Sequence, residues 1–488
     1  MKALKVVFLL HNVYGVGGTI RTTLNLASAL ADRHDVTIVS LMRHRETPRF
    51  AVDPRVTLVP LVDERASSTD TADPLYGQPA RAFPSAEARH RQYTRLHDAR
   101  IEAYLRGCDA DVIIGTRPGI NVYLARFGPR GALRIAQEHL RHDAHSKKLR
   151  AQLARHYRTL DAVVTTTRAD AEVYRARMSL PGVTVLDVPN MVPPPDVTPS
   201  DGTAKVVAAA GRLVPGKRFD LLVRAFARVA ALHPDWTLRI YGGGAKKPEL
   251  QELIDALGLG GNVELMGVRS PIEPEFAKAS IAASASDAES FGMTLVEAMR
   301  CGVPVVSTDC PLGPAEIIRD GHNGRLVPTG DADALAKALI ELIEDAPLRR
   351  AMGAAALASA HRYDPAPIAA RHEALFAELH ATRRKRAAQR RRARLRAWAR
   401  RRVPGLLRLL RRLRSAPGGE GRTVAAGGPA RAVAPPAAKG PLGEPETASV
   451  AAGPAAGGAT STTASGAPSS ASSGSASGAT SGTASSAS

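Results

Sequence analysis

The feature that most constrains the fold is an alternation of short apolar runs with longer amphipathic stretches. In the first half of the chain the apolar runs are LKVVFLL, VTIVSL, DVIIGT and DAVVTTT, and TIRTTLNLASALADR and HDARIEAYL lie between them. Continuous short apolar runs are typical of strands buried on both faces, and the longer stretches have the apolar spacing of helices. The alternation therefore predicts parallel sheets joined by crossover helices, the α/β class.

The same alternation begins again after a proline-rich stretch, with KVVAAAG, FDLLVRAFARVAAL and WTLRIYG. This predicts two domains, residues 1–190 and 191–365, followed by a C-terminal helix over 366–381. Residues 64–85 interrupt the first domain with Ser, Thr, Asp and Pro. They are predicted to form a mobile surface insertion.

The positive charge of the chain is concentrated in one segment. The 488 residues carry a net charge of +20, and residues 383–414 alone contain sixteen Lys or Arg and no acidic residue, so the rest carries only +4. A basic charge spread over a whole domain would favour a nucleic-acid binder, whereas this charge lies in one appended segment, so nucleic acid is not expected as a partner. The globular body is nearly neutral.

This polybasic segment, residues 382–414, also contains apolar residues at helical spacing. Leucines alternate with arginines in VPGLLRLLRRLR, and Trp398 lies in the short predicted helix that precedes this stretch. A basic amphipathic helix with an aromatic anchor favours an anionic membrane surface, and a solvated or nucleic-acid-binding polybasic run is the alternative. Pro404 and Gly405 are expected to divide the segment into two helices.

The remaining C-terminal residues, 415–488, are predicted to be a disordered low-complexity tail. From Ala448 to Ser488 there is no charged residue and almost only Ala, Ser, Gly, Thr and Pro. Such a composition has too little apolar surface to offset the loss of chain entropy on folding.

The cysteines and the apolar runs predict a cytoplasmic protein. The three cysteines have no metal-ligand spacing, which indicates a reducing compartment and no metal site. No apolar run approaches the roughly 20 residues of a membrane span. Membrane contact is therefore expected to be peripheral, at the inner face of the plasma membrane.

The first candidate binding motif is the glycine cluster YGVGGTIRTTL, between the first predicted strand and helix. Gly17 and Gly18 would let backbone N–H groups approach an anion at a helix N-terminus. A dinucleotide fingerprint fails, because Ile20 replaces its third glycine and Met42 and Arg43 stand where an acidic ribose ligand would follow. A tight strand-to-helix turn is the structural alternative.

A second glycine cluster, GRLVPGKR, follows the first strand of the second domain and precedes a helix. A P-loop needs Ser or Thr after its lysine to hold magnesium, and Arg218 occupies that position. Arg212 and Lys217 could instead neutralise a diphosphate without a metal. The alternative is a pair of solvated loop cations.

The third motif is ESFGMTLVEAMRCGVPVVSTD. If the segment is mostly helical, Glu289 and Glu297 lie about 12 Å apart, comparable to the distance from a hexose to a ribose across a diphosphate. The backbone N–H groups near Phe291, Gly292 and Met293 would then bind that diphosphate at a helix N-terminus. Alternatively, both glutamates are ordinary carboxylates near a helix N-terminus.

On ESFGMTLVEAM, CGVPVVSTD and GPAEIIRDGHNGRLVP, the chain resembles the retaining glycosyltransferases of family 4 over about residues 1–381. The resemblance implies the GT-B fold, with two facing Rossmann-like domains, the N-terminal one for the acceptor and the C-terminal one for the donor. It also implies hexose transfer from a nucleotide-diphosphate sugar to a glycan, lipid-linked or cell-envelope acceptor. No cofactor and no essential metal are expected.

The resemblance further assigns roles to individual residues. Arg212 and Lys217 would contact the donor diphosphate, Glu289 the transferred sugar and Glu297 the nucleotide ribose. Gly18 would approach the phosphates from the opposite domain.

The resemblance also suggests contacts elsewhere in the cleft. Gly267 and Val268 would present backbone groups to the base. His139 would lie near the transferred sugar, although a structural or surface histidine is the alternative. Arg117, after another strand of the first domain, could attract an anionic acceptor.

Two other classes of function stay open at this stage. One is a nucleotide-sugar epimerase with the same fold, which would release an altered nucleotide sugar. The other is a non-catalytic scaffold whose basic segment binds membrane or nucleic acid. Arg212, Lys217, Glu289 and Glu297 together argue against the scaffold.

Overall fold

The computed structural model describes residues 2–414, with the side chains of residues 2–399. In this part of the chain, parallel strands alternate with helices in two sheets, which confirms the predicted α/β class. The first domain contains β1 (Lys5–Asn12), α1 (Gly18–Leu30), β2 (Asp35–Arg43), β3 (Val56–Asp63), α2 (Arg95–Arg106), β4 (Val112–Gly115), α3 (Pro118–Phe127), β5 (Leu133–Glu138), α4 (Lys147–Tyr157), β6 (Ala162–Thr165), α5 (Arg168–Arg177) and β7 (Thr184–Asp187).

The second domain repeats this pattern, and two further helices follow it. Its elements are β8 (Val206–Ala210), α6 (Phe219–Leu232), β9 (Thr237–Tyr241), α7 (Lys247–Ala256), β10 (Val263–Gly267), α8 (Glu273–Phe276), β11 (Ile281–Ser284), α9 (Met293–Arg300), β12 (Val305–Thr308), α10 (Pro314–Ile317), β13 (Gly324–Val327), α11 (Ala332–Glu344) and α12 (Ala346–Ala360). The chain then continues through α13 (Pro365–Ala381) and α14 (Arg383–Arg414).

The strand order of each sheet locates a crevice. The first sheet has the order β3-β2-β1-β4-β5-β6-β7, and the second has the order β10-β9-β8-β11-β12-β13. The direction of strand addition reverses between β1 and β4, and again between β8 and β11. In open parallel sheets, ligands bind outside the carboxyl ends of the strands at such a reversal.

Strand β1 shows why the apolar runs are continuous. Val7 and Leu9 pack into the core formed with α2, α3 and α4, whereas Val6, Phe8 and Leu10 pack into the core on the other face. Helices cover both faces of the sheet, so all five residues from Val6 to Leu10 are buried.

The segment predicted as a surface insertion is partly buried. Ala80, Ala82 and Phe83 belong to the core of the first domain, and the ring of Phe83 stacks on Tyr93 with centroids 3.7 Å apart. The expectation of a surface insertion is therefore wrong at this end of residues 64–85. Its apolar residues are few, but they fill space beside α2 and α3.

The last two helices return to the first domain. Ile368, Phe376 and Leu379 of α13 share a core with β1 and α1. Helix α14 is continuous from Arg383 to Arg414, so the expected break at Pro404 and Gly405 is wrong. A proline removes one backbone donor, and the strong helix formers on either side, Arg, Ala and Leu, favour continuation.

Two of the predictions from the sequence concern membrane spans and disorder. Across the described residues, no helix combines the length and the apolarity needed to cross a bilayer. The predicted disordered tail, residues 415–488, lies outside the described residues.

Candidate active site

The crevice of the second domain lies between the loops that follow β8 and β11. Nζ of Lys217, in the first loop, pairs with Oε1 of Glu289, in the second. The hydroxyl of Ser286 donates to the same oxygen at 2.7 Å, and the Asp287 N–H donates to the Gly216 carbonyl at 3.0 Å. The fold thus brings together the lysine and the glutamate that the sequence placed in separate motifs.

The two other cations of the GRLVPGKR loop have different environments. The side chain of Arg212 is exposed at the carboxyl end of β8. Arg218 adopts a left-handed conformation with φ of 48° and pairs with Asp220 at 3.1 Å and Asp287 at 3.2 Å. Arg218 therefore ties the two loops together, whereas Arg212 remains accessible to a ligand.

Helix α9 begins beside this pair. Gly292 precedes it with φ of 102°, a conformation that favours glycine, and no described side chain caps its first turn. The side chain of Phe291 is buried, with its ring 5.5 Å from that of Tyr363. The Leu295 N–H donates to the Gly292 carbonyl at 3.0 Å, which leaves the N–H groups of Met293 and Thr294 for a negatively charged group.

Glu297 lies inside α9, buried at the interface between the two domains. Its Oε1 is 3.2 Å from Nη1 of Arg21, which extends from α1 and also pairs with Glu273. Burial raises the pKa of Glu297 to about 7, Arg21 opposes this rise and Glu273 adds to it. Glu297, the residue predicted to bind the ribose, is thus held by an arginine of the opposite domain.

The distance of about 12 Å expected between Glu289 and Glu297 assumed a helical segment. Because α9 starts only at Met293, that estimate does not apply here.

Replacing Glu297 by glutamine is expected to change how stability depends on pH. The pKa of Glu297 is higher in the folded than in the unfolded protein, so its stabilising contribution is full below about pH 4.5 and is lost as the pH rises to about 7. The free energy of unfolding of the wild type minus that of Glu297→Gln should fall by about 2 to 3 kcal/mol across this range. Urea unfolding at several pH values measures it.

The free energy of unfolding of Glu297→Gln is subtracted from that of the wild type because buried histidines change stability with pH in the opposite direction to Glu297. Burial lowers the pKa of His11 to about 3 and those of His97, His139 and His372 to about 4, so their contributions are lost as the pH falls. These histidines are common to both proteins and cancel. A difference that stays constant with pH would show that Glu297 keeps an ordinary pKa.

The first glycine cluster leaves open space at the start of α1. A Cβ atom built at Gly17 or Gly18 would meet no described atom within 4 Å. The φ of Gly17, 160°, is extended and open to any residue. Neither packing nor backbone conformation requires glycine here, so the turn leaves room for a ligand at the N-terminus of α1.

A Gly18→Val substitution should therefore weaken donor binding without destabilising the fold. We expect the KM for the nucleotide-sugar donor to rise about tenfold, because a branched side chain would fill the space next to the helix N-terminus. Gly260→Val is the control, since Gly260 also has nothing within 4 Å but lies in the loop after α7. Equal changes in both variants would contradict this reading.

The first domain contributes polar residues at its own crevice, where β1 and β4 end. Nε2 of His11 lies 3.1 Å from Nη1 of Arg89, which can only donate, so the ring proton is on Nδ1, 2.7 Å from the Tyr93 hydroxyl. Arg117 donates to the buried carboxylate of Glu87 at 2.6 Å. Burial and the charges of Arg117 and Arg212 lower the pKa of Arg89.

His139 follows β5 and is half-buried. Burial lowers its pKa to about 4, so the ring is neutral at neutral pH, and no described residue hydrogen-bonds its Nε2. Burial also lowers the pKa of His372 on α13, and Arg371 and His139 add to that lowering.

The neighbours of His139 belong to the core. The Glu138 carboxylate is buried and accepts from Asn121 Nδ2 at 2.9 Å and from the Tyr157 hydroxyl. The His142 N–H donates to Asp170 at 3.0 Å. These hydrogen bonds hold the end of β5 in place. The only signal for them in the sequence is the spacing of the partner residues, which lie on three separate helices.

Gly267 and Val268 lie at the carboxyl end of β10, the outer strand of the second sheet. The Gly267 carbonyl accepts from the Gly242 N–H at 2.8 Å, so that oxygen is engaged within the protein. Val268 is largely exposed. Among the described residues, no group of three or more His, Cys, Asp or Glu is arranged to hold a metal ion.

Further contacts between the domains were not predicted. The Glu316 carboxylate accepts from the N–H groups of Arg168 and Ala169, at 3.0 and 2.8 Å, at the N-terminus of α5. The Thr166 hydroxyl donates to the Ser290 carbonyl at 2.8 Å. With the pair between Arg21 and Glu297, these contacts hold the two crevices facing each other.

Two Rossmann-like domains with facing crevices define the GT-B fold, and solved structures confirm it. The chain matches a sucrose-phosphate synthase from Thermosynechococcus elongatus with a TM-score of 0.64, at 20% identity, over 78% of this chain and all of the other. It also matches a variant of S. aureus TarM in complex with fondaparinux, α-GlcNAc-glycerol and UDP, with a TM-score of 0.62, at 16% identity, over 76% of this chain and 99% of the other.

The family comparison concerns the second domain in particular. Residues 195–358 match the family model described as glycosyl transferases group 1. An exopolysaccharide phosphotransferase of Streptomyces coelicolor is 35% identical over 389 residues, which cover 77% of this chain but only 41% of that protein. The family model and the shared fold support a group 1 glycosyltransferase of the GT-B type.

Proposed function

We propose that the protein is a retaining glycosyltransferase of family 4, which moves a hexose from a nucleotide-diphosphate sugar to a glycan, lipid-linked or cell-envelope acceptor. The observation that carries this proposal is the pairing of Lys217 with Glu289 beside the uncapped start of α9. A cation, a carboxylate and a helix N-terminus meet there, as the binding of an anionic diphosphate next to a sugar requires. The group 1 match over residues 195–358 supports it.

The chemistry follows from the charges in this crevice. As the bond between the sugar and the diphosphate breaks, Lys217, Arg212 and the first turn of α9 stabilise the negative charge that develops on the leaving group. These groups need no metal to do so. The acceptor hydroxyl attacks on the face from which the diphosphate leaves, and a leaving phosphate oxygen takes its proton.

Other residues are proposed to orient the donor. Glu289 hydrogen-bonds the transferred sugar, and Glu297 binds the ribose while Arg21 supports its carboxylate from the other domain. Gly267 and Val268 face the base, and the Gly17 and Gly18 turn admits the phosphates. His139, neutral at neutral pH, offers a hydrogen bond to the sugar rather than a positive charge.

The acceptor is proposed to bind at the crevice of the first domain. His11 and Arg117 lie where β1 and β4 end, at the reversal of strand order. Arg89 Nη1 lies 3.1 Å from His11 Nε2, and burial lowers the pKa of Arg89, a lowering to which the charge of Arg212 contributes. The charges of Arg89 and Arg212 would attract an acceptor that carries an anionic group, whereas His11 is neutral at neutral pH and Arg117 is paired with Glu87.

Two other reactions would use the same donor. An epimerase would return an altered nucleotide sugar. The name of the Streptomyces coelicolor relative describes phosphotransfer, and moving a sugar phosphate from such a donor would release a nucleoside monophosphate. Glycosyl transfer releases the nucleoside diphosphate.

A thermal-shift and donor-hydrolysis screen of the full chain tests the proposal. Purified protein is incubated with UDP- and GDP-hexoses, with Glu289→Gln as a variant of the site. We expect one nucleotide sugar to raise the Tm of the wild type and to be hydrolysed slowly, and the variant to lose hydrolysis. If no nucleotide sugar shifts the Tm or is consumed, the proposal is wrong.

A further inference from the structure

Arg21 joins the two domains through a pair of buried carboxylates. It stands in the first turn of α1, where its N–H donates to the Gly17 carbonyl at 3.1 Å. Its Nη2 pairs with Oε1 of Glu273 on α8, and its Nη1 lies 3.2 Å from Oε1 of Glu297 on α9. The side chains of both glutamates are 6% exposed, and that of Arg21 is 25% exposed. One guanidinium of the first domain is therefore shared by two carboxylates of the second.

This single guanidinium cannot neutralise both carboxylates. Burial raises the pKa of Glu297 to about 7, the charge of Arg21 lowers it, and the charge of Glu273 raises it. Oε2 of Glu273 is buried and has no hydrogen-bond partner among the described residues. Cys301 also faces this cluster, with its Sγ 3.3 Å from the Glu297 carbonyl, and stays neutral because burial raises its pKa to about 12. Removing Arg21 would therefore favour the protonated form of Glu297 at neutral pH.

Glu297 lies close to the position proposed for the diphosphate. It follows Met293 by one helical turn, a rise of about 6 Å, and the side chains of a helix lean towards its N-terminus. The Thr22 hydroxyl lies 3.7 Å from the Met293 sulfur, so α1 packs against this first turn of α9. In a nucleoside diphosphate the ribose is bonded directly to the diphosphate. A diphosphate at the start of α9 therefore brings the ribose close to Glu297.

The charge of Glu297 determines which hydrogen bonds it can form with a ribose. An ionised carboxylate only accepts, and its two oxygens together offer about four acceptor sites. The contact with Arg21 uses one of these sites and leaves others for the 2′- and 3′-hydroxyl groups. A protonated carboxyl group has a donor in place of an acceptor, and its hydrogen bonds are weaker. A site built around the charged form discriminates against a 2′-deoxyribose, because the missing hydroxyl leaves a buried acceptor unpaired.

We propose that Arg21 is a positioning residue that holds the Glu297 carboxylate, charged and oriented, for the two hydroxyl groups of the donor ribose. The first domain thereby sets the preference of the second domain for ribonucleotide over 2′-deoxyribonucleotide donors. The inference rests on the proposed function, in which Glu297 binds the ribose. It adds a residue of the acceptor-side domain to the recognition of the donor.

Calorimetric titration of the full chain with nucleoside diphosphates tests this inference. Dissociation constants are measured for UDP and GDP and for their 2′-deoxy forms, from about pH 6 to about pH 9. The readout is the ratio of the two constants for one base, because titration of the phosphates and of other protein groups affects both forms and cancels. Arg21→Gln removes the charge, and Arg21→Lys keeps it. Arg33→Gln is the matched control, since Arg33 also pairs with a largely buried carboxylate, that of Glu373, but beyond the far end of α1.

In the wild type we expect the ribose form to bind about 30-fold more tightly above the pKa of Glu297, and this preference to shrink as the pH falls below about 7. In Arg21→Gln the rise should move to higher pH by about one unit or more. Its preference at neutral pH should then be about threefold or less and recover towards pH 9. Arg21→Lys and Arg33→Gln should stay within about threefold of the wild type, and Glu297→Gln should lose most of the preference at every pH.

Three results for Arg21→Gln would overturn the inference. The first is a ratio equal to that of the wild type at every pH. The second is tighter binding of the ribose form, which would show that Arg21 occupies the position of the ribose. The third is a loss of preference that does not change with pH, which would show that Arg21 has a structural role alone.

Glu273→Gln keeps the inference testable if Arg21→Gln does not fold. Removing the second carboxylate leaves Arg21 to Glu297 alone, so the rise in preference should move to lower pH than in the wild type. An unmoved midpoint would overturn the inference.

The wild type itself separates this inference from the proposed function. If it binds neither UDP nor GDP, the proposed function fails and the inference fails with it. If it binds one of them with equal affinity for the ribose and 2′-deoxyribose forms, only the inference fails.

Discussion

Replacing Lys217 by methionine is expected to lower kcat/KM for the nucleotide-sugar donor by about 100- to 1000-fold. Methionine keeps the length of the side chain and removes the charge that would face the leaving diphosphate. The loss should appear mainly in kcat, because the developing charge is largest in the transition state. Release of nucleoside diphosphate from the donor, followed in a coupled assay, measures it.

The control for this variant is Lys278→Met. Lys278 pairs with Glu275 on the surface of the same domain, outside the crevice. Its substitution should change kcat/KM less than twofold. If Lys217→Met folds with the Tm of the wild type and keeps kcat/KM within threefold, Lys217 does not stabilise the leaving group.

The second large effect is on stability. Asp161→Ala should lower the free energy of unfolding by about 3 kcal/mol, because it leaves the buried guanidinium of Arg386 without its carboxylate. Asp161 also accepts from the Arg134 N–H at 3.0 Å and from Arg390 at 3.2 Å. Urea unfolding followed by circular dichroism measures the change.

Asp235→Ala provides the comparison for Asp161. Asp235 pairs with Lys205 in full contact with solvent, and exposed ion pairs of this kind contribute little to stability. We expect its unfolding midpoint to stay close to that of the wild type. A loss of stability no larger in Asp161→Ala than in Asp235→Ala would show that α14 is not anchored through Arg386.

The strands and most helices could be predicted because their burial is local in the sequence. Strand β1 is buried on both faces and is therefore a continuous apolar run, and α6 coincides with FDLLVRAFARVAAL. The burial of Phe83 could not be predicted, because a single apolar residue in a polar segment has no periodicity. The return of α13 to the first domain depends on tertiary packing, which its own sequence does not specify.

The candidate site also contains residues that local motifs indicate and contacts that only the fold reveals. The motifs indicated Lys217 and Glu289 separately, and only the fold shows that side chains 72 residues apart form a pair. The pairing of Arg21 with Glu297 was missed, since neither residue has a local signal that points to the other domain. Glu138 stands next to His139 in the sequence, but the Asn121 and Tyr157 contacts make it part of the core.

The central claim is that this crevice transfers a sugar from a nucleotide donor. The most direct test incubates the full chain with the nucleotide hexose that raises its Tm and identifies the nucleotide product by NMR and mass spectrometry, with Lys217→Met as the control. We expect nucleoside diphosphate and a free or transferred hexose released first as the anomer present in the donor, with both absent in the control. Nucleoside monophosphate, an epimerised nucleotide sugar, or unchanged donor would contradict the claim.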